Sequence, residues 1–242
     1  MTRAILAALA LLVAVPVALG LGASPAAAAT RNFSVTSFTR IRVEGPYKVT
    51  LATGVAPFAT ATGSPAALDA ISLDLAGNTL IVRVSRATNA SFFGDSPGPA
   101  TIALGTHDLA GAWLNGTGSL VIDRVKGLSF DLSVNGLGRG EVGDLAVDQL
   151  KLNLFGAASA RVSGSALMLD AVVRGASVLD AAALTSRDAK IAAEGPANVR
   201  TTVTNSAKVS ALGVATVSLT GDPSCTVRAT GSSSVDGCKT VN

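Results

Sequence analysis

Apolar and polar residues alternate along this chain in short runs that recur at nearly constant spacing. Gly116, Gly136, Gly156, Gly175, Gly195, Gly213 and Gly231 mark the recurrence, at intervals of 20, 20, 19, 20, 18 and 18 residues. Two residues before each glycine stand Leu114, Val134, Leu154, Val173, Ala193, Ala211 and Ala229. Four before stand Ala112, Leu132, Leu152, Ala171, Ile191, Val209 and Val227, and four after, for example, Leu120, Ala160, Leu179, Val199 and Val217. Alternate apolar positions on both flanks are strand periodicity, not helix periodicity. The glycine between two such strands sits where a turn with positive φ is easiest to make.

A repeat of 18–20 residues cannot bury its inward row alone, so repeats must stack. The predicted fold is all-β: a right-handed parallel β-helix-like solenoid with two or three short strands per rung. An antiparallel sandwich of hairpins is the rival, but a near-constant period with columns in register favours the solenoid. The column six before the glycine runs Phe130, Leu150, Leu169, Ala189, Ala207 and Cys225, so the interior should narrow toward the C-terminus. Outward columns carry charge: Asp131, Lys151, Asp170, Lys190 and Lys208 in one, Glu141, Arg161, Asp180 and Arg200 in the other. Stacked in register these become lateral ladders, in which opposite charges help and like charges oppose.

Residues 30–108 follow the ruler loosely and are expected to form the first rungs and a cap over the open edge, ahead of the regular rungs in 109–242. Ile71–Leu75 and Leu80–Val84 flank Gly77-Asn78, a hairpin signal, and 100–104 reads as another strand. Phe38-Thr39-Arg40-Ile41-Arg42-Val43-Glu44-Gly45-Pro46-Tyr47-Lys48-Val49, then Leu80-Ile81-Val82, then repeats such as Asn115-Gly116-Thr117-Gly118-Ser119-Leu120, resemble the head GIN domain family, labelled a putative autotransporter adhesin. The resemblance spans nearly all of 30–242 and implies an exported β-helix-like domain of the bacterial envelope, without a defined biochemical activity. A membrane-barrel translocator is not expected, since little chain follows the last rung before Asn242.

The N-terminus sets the expected compartment. Thr2-Arg3, the apolar run from Ile5 to Val15 and Ala27-Ala28-Ala29 have the layout of a signal peptide over residues 1–29. No cysteine stands near that junction to carry a lipid anchor, and no later run is long enough to span a bilayer. Export permits a disulfide, and Cys225 and Cys238 are the only cysteines. The formal net charge of +3 comes from 19 basic and 16 acidic residues, too balanced for a nucleic-acid footprint.

Candidate chemistry is sparse. His107 is the only histidine, in a loop between strands, so neither a nucleophile–histidine arrangement nor a metal set has its ligands. No cofactor motif stands out: Gly136-Leu137-Gly138-Arg139-Gly140 lacks the Lys-Ser/Thr of a phosphate loop and reads as turn glycine. Trp113, next to the first rung's apolar column, reads as packing ahead of a sugar platform. Phe92 and Phe93 in Ser91–Pro99 form a candidate partner-binding loop, or else plug the solenoid. The expected function is non-enzymatic: an exported envelope or cell-surface protein, adhesive or structural, whose partner is an envelope protein or a surface glycan. The alternative is a polysaccharide lyase or hydrolase acting on a lateral groove, with Asp131 and Asp170 or Glu141 and Asp180 as paired carboxylates.

Overall fold

A computed structural model describes residues 28–85 and 100–239, so most of the expected leader and the Phe92-Phe93 loop lie outside the described residues. Strand accounts for 75% of the described chain and helix for 3%, with about six solenoid turns.

The regular part begins at β8 (Gly111–Gly116) and runs through β9 (Ser119–Gly136), β10 (Arg139–Gly156), β11 (Ser159–Gly175), β12 (Val178–Glu194) and β13 (Asn198–Gly213). It ends with β14 (Thr216–Thr220), β15 (Ser224–Gly231) and β16 (Ser234–Asp236). Each turn pairs in parallel with the next. Gly136 lies opposite Gly116 and Gly156, Gly175 opposite Gly156, and Gly231 opposite Gly213. The glycine spacing is thus the rung itself, and seven glycines bound six turns.

Why glycine recurs is visible at one corner. Gly175 has φ +78°, and a Cβ there would lie 2.4 Å from the carbonyl oxygen of Gly156 below it. Backbone stacks on backbone at about 4.8 Å, leaving no room for a side chain.

Inside each turn the buried positions change phase where the strand bends. In β10 they are Gly140 and Val142, then Leu145 and Val147, then Leu150, Leu152 and Leu154. Two exposed residues separate each group, so a turn has three short sides joined by corners. The inward column from Phe130 through Leu150 and Leu169 to Ala189 and Ala207 is buried throughout, and its side chains shrink as expected.

The N-terminal cap departs from sequence order. β2 (Arg40–Glu44) and β3 (Lys48–Thr53) form one rung beneath β8 and β9. The chain then turns back under that rung to lay down β4 (Phe58–Gly63), α1 (Pro65–Asp69), β5 (Ile71–Ala76), β6 (Thr79–Val84) and β7 (Thr101–Thr106). β6 pairs with β2 and β7 with β3, both in parallel, before β8 resumes on the other side of β2. The β5–β6 hairpin turns at Gly77-Asn78, as its sequence signal implies.

Antiparallel pairing closes this end. β1 (Ala29–Phe33) pairs with β4, and β4 with β7. Ser64 caps α1 by accepting the N–H of Ala67, with Pro65 at the first helical position. Tyr47, 5% exposed, donates its hydroxyl to the carbonyl of Ala70 at 3.1 Å and ties the first rung to the cap.

At the opposite end the described residues leave the inward row of the last rung uncovered. In the last rung Val227 is 44% exposed and Ala229 is exposed, although both continue columns that are buried everywhere else. The structure bonds Cys225 to Cys238 across this rung, with Cα atoms 5.7 Å apart.

Candidate ligand-binding face

Because strand residues alternate in direction, the side of the solenoid that precedes the glycine corner carries outward columns. One contains Asp131, Lys151, Asp170, Lys190 and Lys208 on successive rungs, with Arg40 and Gly111 on the two rungs before Asp131. The next contains Arg42, Trp113, Ser133, Asn153, Val172 and Ala192, then Ser210 and Arg228.

Trp113 belongs to the second column, beside the first rung's apolar one. It lies three residues before Gly116, the outward phase, and its indole is partly exposed on the outer face. The ring leans over Gly111, where an added Cβ would stand 2.6 Å from the tryptophan Cη2. Packing does occur, but against the outside of the sheet.

Beside the indole is a groove of about 420 Å³ lined by Arg40, Trp113, Ser129, Asp131, Gln149 and Lys151, together with Ala110 and Phe130. It combines an aromatic wall with a guanidinium, a carboxylate, an amide, a hydroxyl and an ammonium. Small-ligand sites have volumes of about 300–1,000 Å³ and a few polar groups against apolar walls; this groove has that size and mixture.

A second groove of about 590 Å³ lies on the same side, farther toward the C-terminus. Its outward residues are Lys190, Ala192, Lys208, Ser210, Thr226 and Arg228. Ala192 and Ser210 are small and form the dip. Lys190 lies directly opposite Lys208, so the charge alternation of the column breaks here. No ion pair engages Lys190, Lys208 or Arg228 among the described residues. The carboxylate of Glu194 is taken by Arg174 at 2.9 Å, and the Arg174 guanidinium covers the Phe155 ring at 5.8 Å. Asp170 faces Lys190 from the preceding rung.

The other charge ladder lies on a different side. Glu141 pairs in register with Arg161, and Arg161 with Asp180, as the sequence spacing implies. Arg161 Nε is 3.1 Å from Asp180 Oδ2. The shallow dip around this pair is only about 160 Å³, and Arg161 and Asp180 in it already engage one another.

Titration behaviour is perturbed at two places. Hydrogen bonds from Ser206 and Asn205, with the Arg187 charge, hold the Asp188 carboxyl below its usual 3.8. Burial pushes the Tyr47 hydroxyl up from 10.0. Neither group lines either of the two grooves. His107 follows β7 as an exposed residue, and its carbonyl accepts the N–H of Gly54 at 2.8 Å. Among the described residues no three His, Cys, Asp or Glu gather as a metal-binding set, and no helix is long and apolar enough to cross a membrane.

Comparisons with known proteins agree on the architecture. A putative adhesin from Bacteroides fragilis NCTC 9343 superposes with TM-score 0.76 at 17% identity, covering 88% of this chain and 95% of that one. A putative lipid binding protein from Parabacteroides distasonis ATCC 8503 gives TM-score 0.67 at 17% identity, covering 88% and 97%. A putative adhesin from Parabacteroides merdae ATCC 43184 gives 0.64 at 15%, covering 88% and 96%. No curated protein matches the sequence. Identities this low establish a shared fold alone. The family model described as putative auto-transporter adhesin, head GIN domain, matches residues 37–223, and the chain belongs to that family.

Proposed function

We propose that the chain is exported and works without catalysis, as an adhesive or structural protein of the cell envelope that binds through the lateral face of β8 to β15. The observation that carries this reading is the placement of the two grooves on one continuous side of a rigid stack. A groove with an aromatic wall and a basic groove follow one another along the axis, a layout suited to holding an extended partner. Family membership supports an adhesive role, and the signal-peptide layout of residues 1–29 supports export. Cleavage after Ala29 would leave Thr30 at the start of β1, whose pairing with β4 is nearly complete without the leader.

A hydrolase or lyase needs an acid and a base converging on one bond. Asp131 and Asp170 are two rungs apart, roughly 10 Å, and Lys151 stands between them. Asp131 lines the tryptophan groove whereas Asp170 does not. The arrangement favours binding.

The test is adhesion of the purified mature chain to cells and envelope fractions, together with a screen against polysaccharide and peptide substrates. Saturable adhesion without turnover supports the reading. Turnover that disappears in folded Asp131→Asn or Asp170→Asn protein overturns it. N-terminal sequencing of the exported product should begin at or beside Thr30; retention of Met1 would refute the cleavage.

A further inference from the structure

We infer that the lateral face takes a linear acidic glycan laid along the solenoid axis. One sugar ring stacks on Trp113, and carboxylate or sulfate groups farther along the same chain meet Lys190, Lys208 and Arg228. This assignment rests on the adhesive reading and names its ligand class.

The tryptophan groove supplies the first half of the argument. A pyranose ring has an apolar C–H face bordered by hydroxyls. An indole offers that face a broad, weakly polar surface at little cost in side-chain entropy. Gly111 lets the Trp113 ring lean across the sheet, since any side chain there would displace it. Arg40, Gln149, Ser129 and Lys151 then supply donors, and Asp131 an acceptor, around the ring's edge. That mixture fits hydroxyl groups, which both donate and accept.

The basic groove supplies the second half. Lys190 and Lys208 are directly opposite one another on adjacent rungs, and Arg228 follows on the next rung in the neighbouring column. Like charges so placed oppose the stack, and an anion lying between them reverses the sign of that contribution. The nearby acid Glu194 is already paired with Arg174. The small side chains of Ala192 and Ser210 leave the dip in which such an anion can sit.

The two grooves share one face. From Trp113 to Ala192 the register steps through Ser133, Asn153 and Val172, four rungs or roughly 19 Å. A monosaccharide cannot touch both grooves; an extended oligomer can. Nucleic acid fits less well, because it brings a phosphate with every nucleotide and would pass Asp131 and Asp170. A glycan can place hydroxyls at those carboxylates and its anionic groups elsewhere.

The experiment measures binding of the mature chain to size-graded oligosaccharides of an acidic polysaccharide. A neutral oligosaccharide series, a single-stranded oligonucleotide and anionic phospholipid vesicles run beside them. Affinity for the acidic series should rise with length until both grooves are spanned and should fall with added salt. Trp113→Ala should weaken binding by roughly tenfold or more, as loss of a central aromatic anchor does. Gln149→Ala should weaken it less, and tests the same groove without disturbing the ring that packs on Gly111. The triple variant Lys190→Ala, Lys208→Ala, Arg228→Ala should remove most of the salt dependence. Unchanged affinity in folded Trp113→Ala and Gln149→Ala proteins would overturn the assignment. So would equal binding of neutral oligosaccharides, or tighter binding of the oligonucleotide or the vesicles. Adhesion to cells that survives both sets of substitutions would refute this ligand while leaving the adhesive reading intact; absence of adhesion by the wild-type chain would refute the adhesive reading itself.

Discussion

Arg161 Nε lies 3.1 Å from Asp180 Oδ2 on the adjacent rung, while Glu141 occupies the same column on the rung before. The arginine therefore stands between two acidic residues in a lateral ladder and bonds the carboxylate of Asp180. Its side chain is 67% exposed and that of Asp180 38%, so water and salt screen the pair. A double-mutant cycle with Arg161→Ala and Asp180→Ala should return a favourable coupling below about 1 kcal/mol that shrinks as salt is added. A coupling of several kcal/mol, or one indifferent to salt, would contradict this exposed geometry.

Two glycines separate backbone strain from collision. Gly54 has φ +73° with no atom within 4 Å of an added Cβ. Gly175 has φ +78°, nearly the same, but its added Cβ would stand 2.4 Å from the Gly156 carbonyl oxygen. Gly54→Ala should lose about 1 kcal/mol, the conformational term alone. Gly175→Ala should lose clearly more, because two rungs must also separate. Chemical denaturation measures both, and equal losses would show that the rungs yield freely at the corner.

The regular rungs were legible for a physical reason. Parallel stacking in register places residue i of one turn over the same residue of the next, so burial and charge repeat with the rung and appear as columns in the sequence. Gly136 over Gly116 and Arg161 beside Asp180 both follow from counting. The cap was legible only in part. Its hairpin at Gly77-Asn78 carries a local signal, but the placement of β6 and β7 under β2 and β3 is non-local. Nothing in the spacing of residues 40–106 says that β8 returns to the far side of β2. The helix had a readable start in Ser64-Pro65, too short to give periodicity. For Trp113 the needed signal was present: apolar columns two and four residues before the glycine put the third outside. The basic groove could also be seen as Lys190 followed by Lys208, which breaks an alternating ladder, but the dip between them depends on the small residues of a neighbouring column.

Cys225 and Cys238 close a segment separated by 13 residues at the C-terminal end of the described stack. A crosslink around a loop of this size contributes roughly 3 kcal/mol in the chain-entropy picture. The last rung is the one with exposed inward residues, so loss of the bond should act there first. Reduction should speed amide hydrogen exchange across β15 and β16 and leave β9 to β11 unchanged. Exchange that is equally fast before and after reduction in 224–236 would show that the crosslink does not hold this rung.

Tyr47 should make the cap sensitive to alkali. Its ring is buried, its hydroxyl donates to the carbonyl of Ala70 at 3.1 Å, and burial raises its ionisation above 10.0. The folded chain thus keeps the phenolic proton to higher pH than the unfolded chain does. Wherever the folded state binds more protons, stability falls as pH rises. The contribution is therefore complete below the unfolded value of 10.0 and is lost progressively as pH climbs past it toward the folded one. Tyr47→Phe keeps the ring and removes the titrating group. Ala70 retains a second partner, the N–H of Ser85 at 2.7 Å, so the substitution should lose only about 0.5–1.5 kcal/mol at neutral pH. Lysines titrate near the same pH, so the informative quantity is the stability difference between the two proteins. That difference should shrink as pH rises from about 8 to about 11. Denaturation curves for both proteins across that range measure it, and a difference that stays constant would mean that the Tyr47 hydroxyl is open to water in solution.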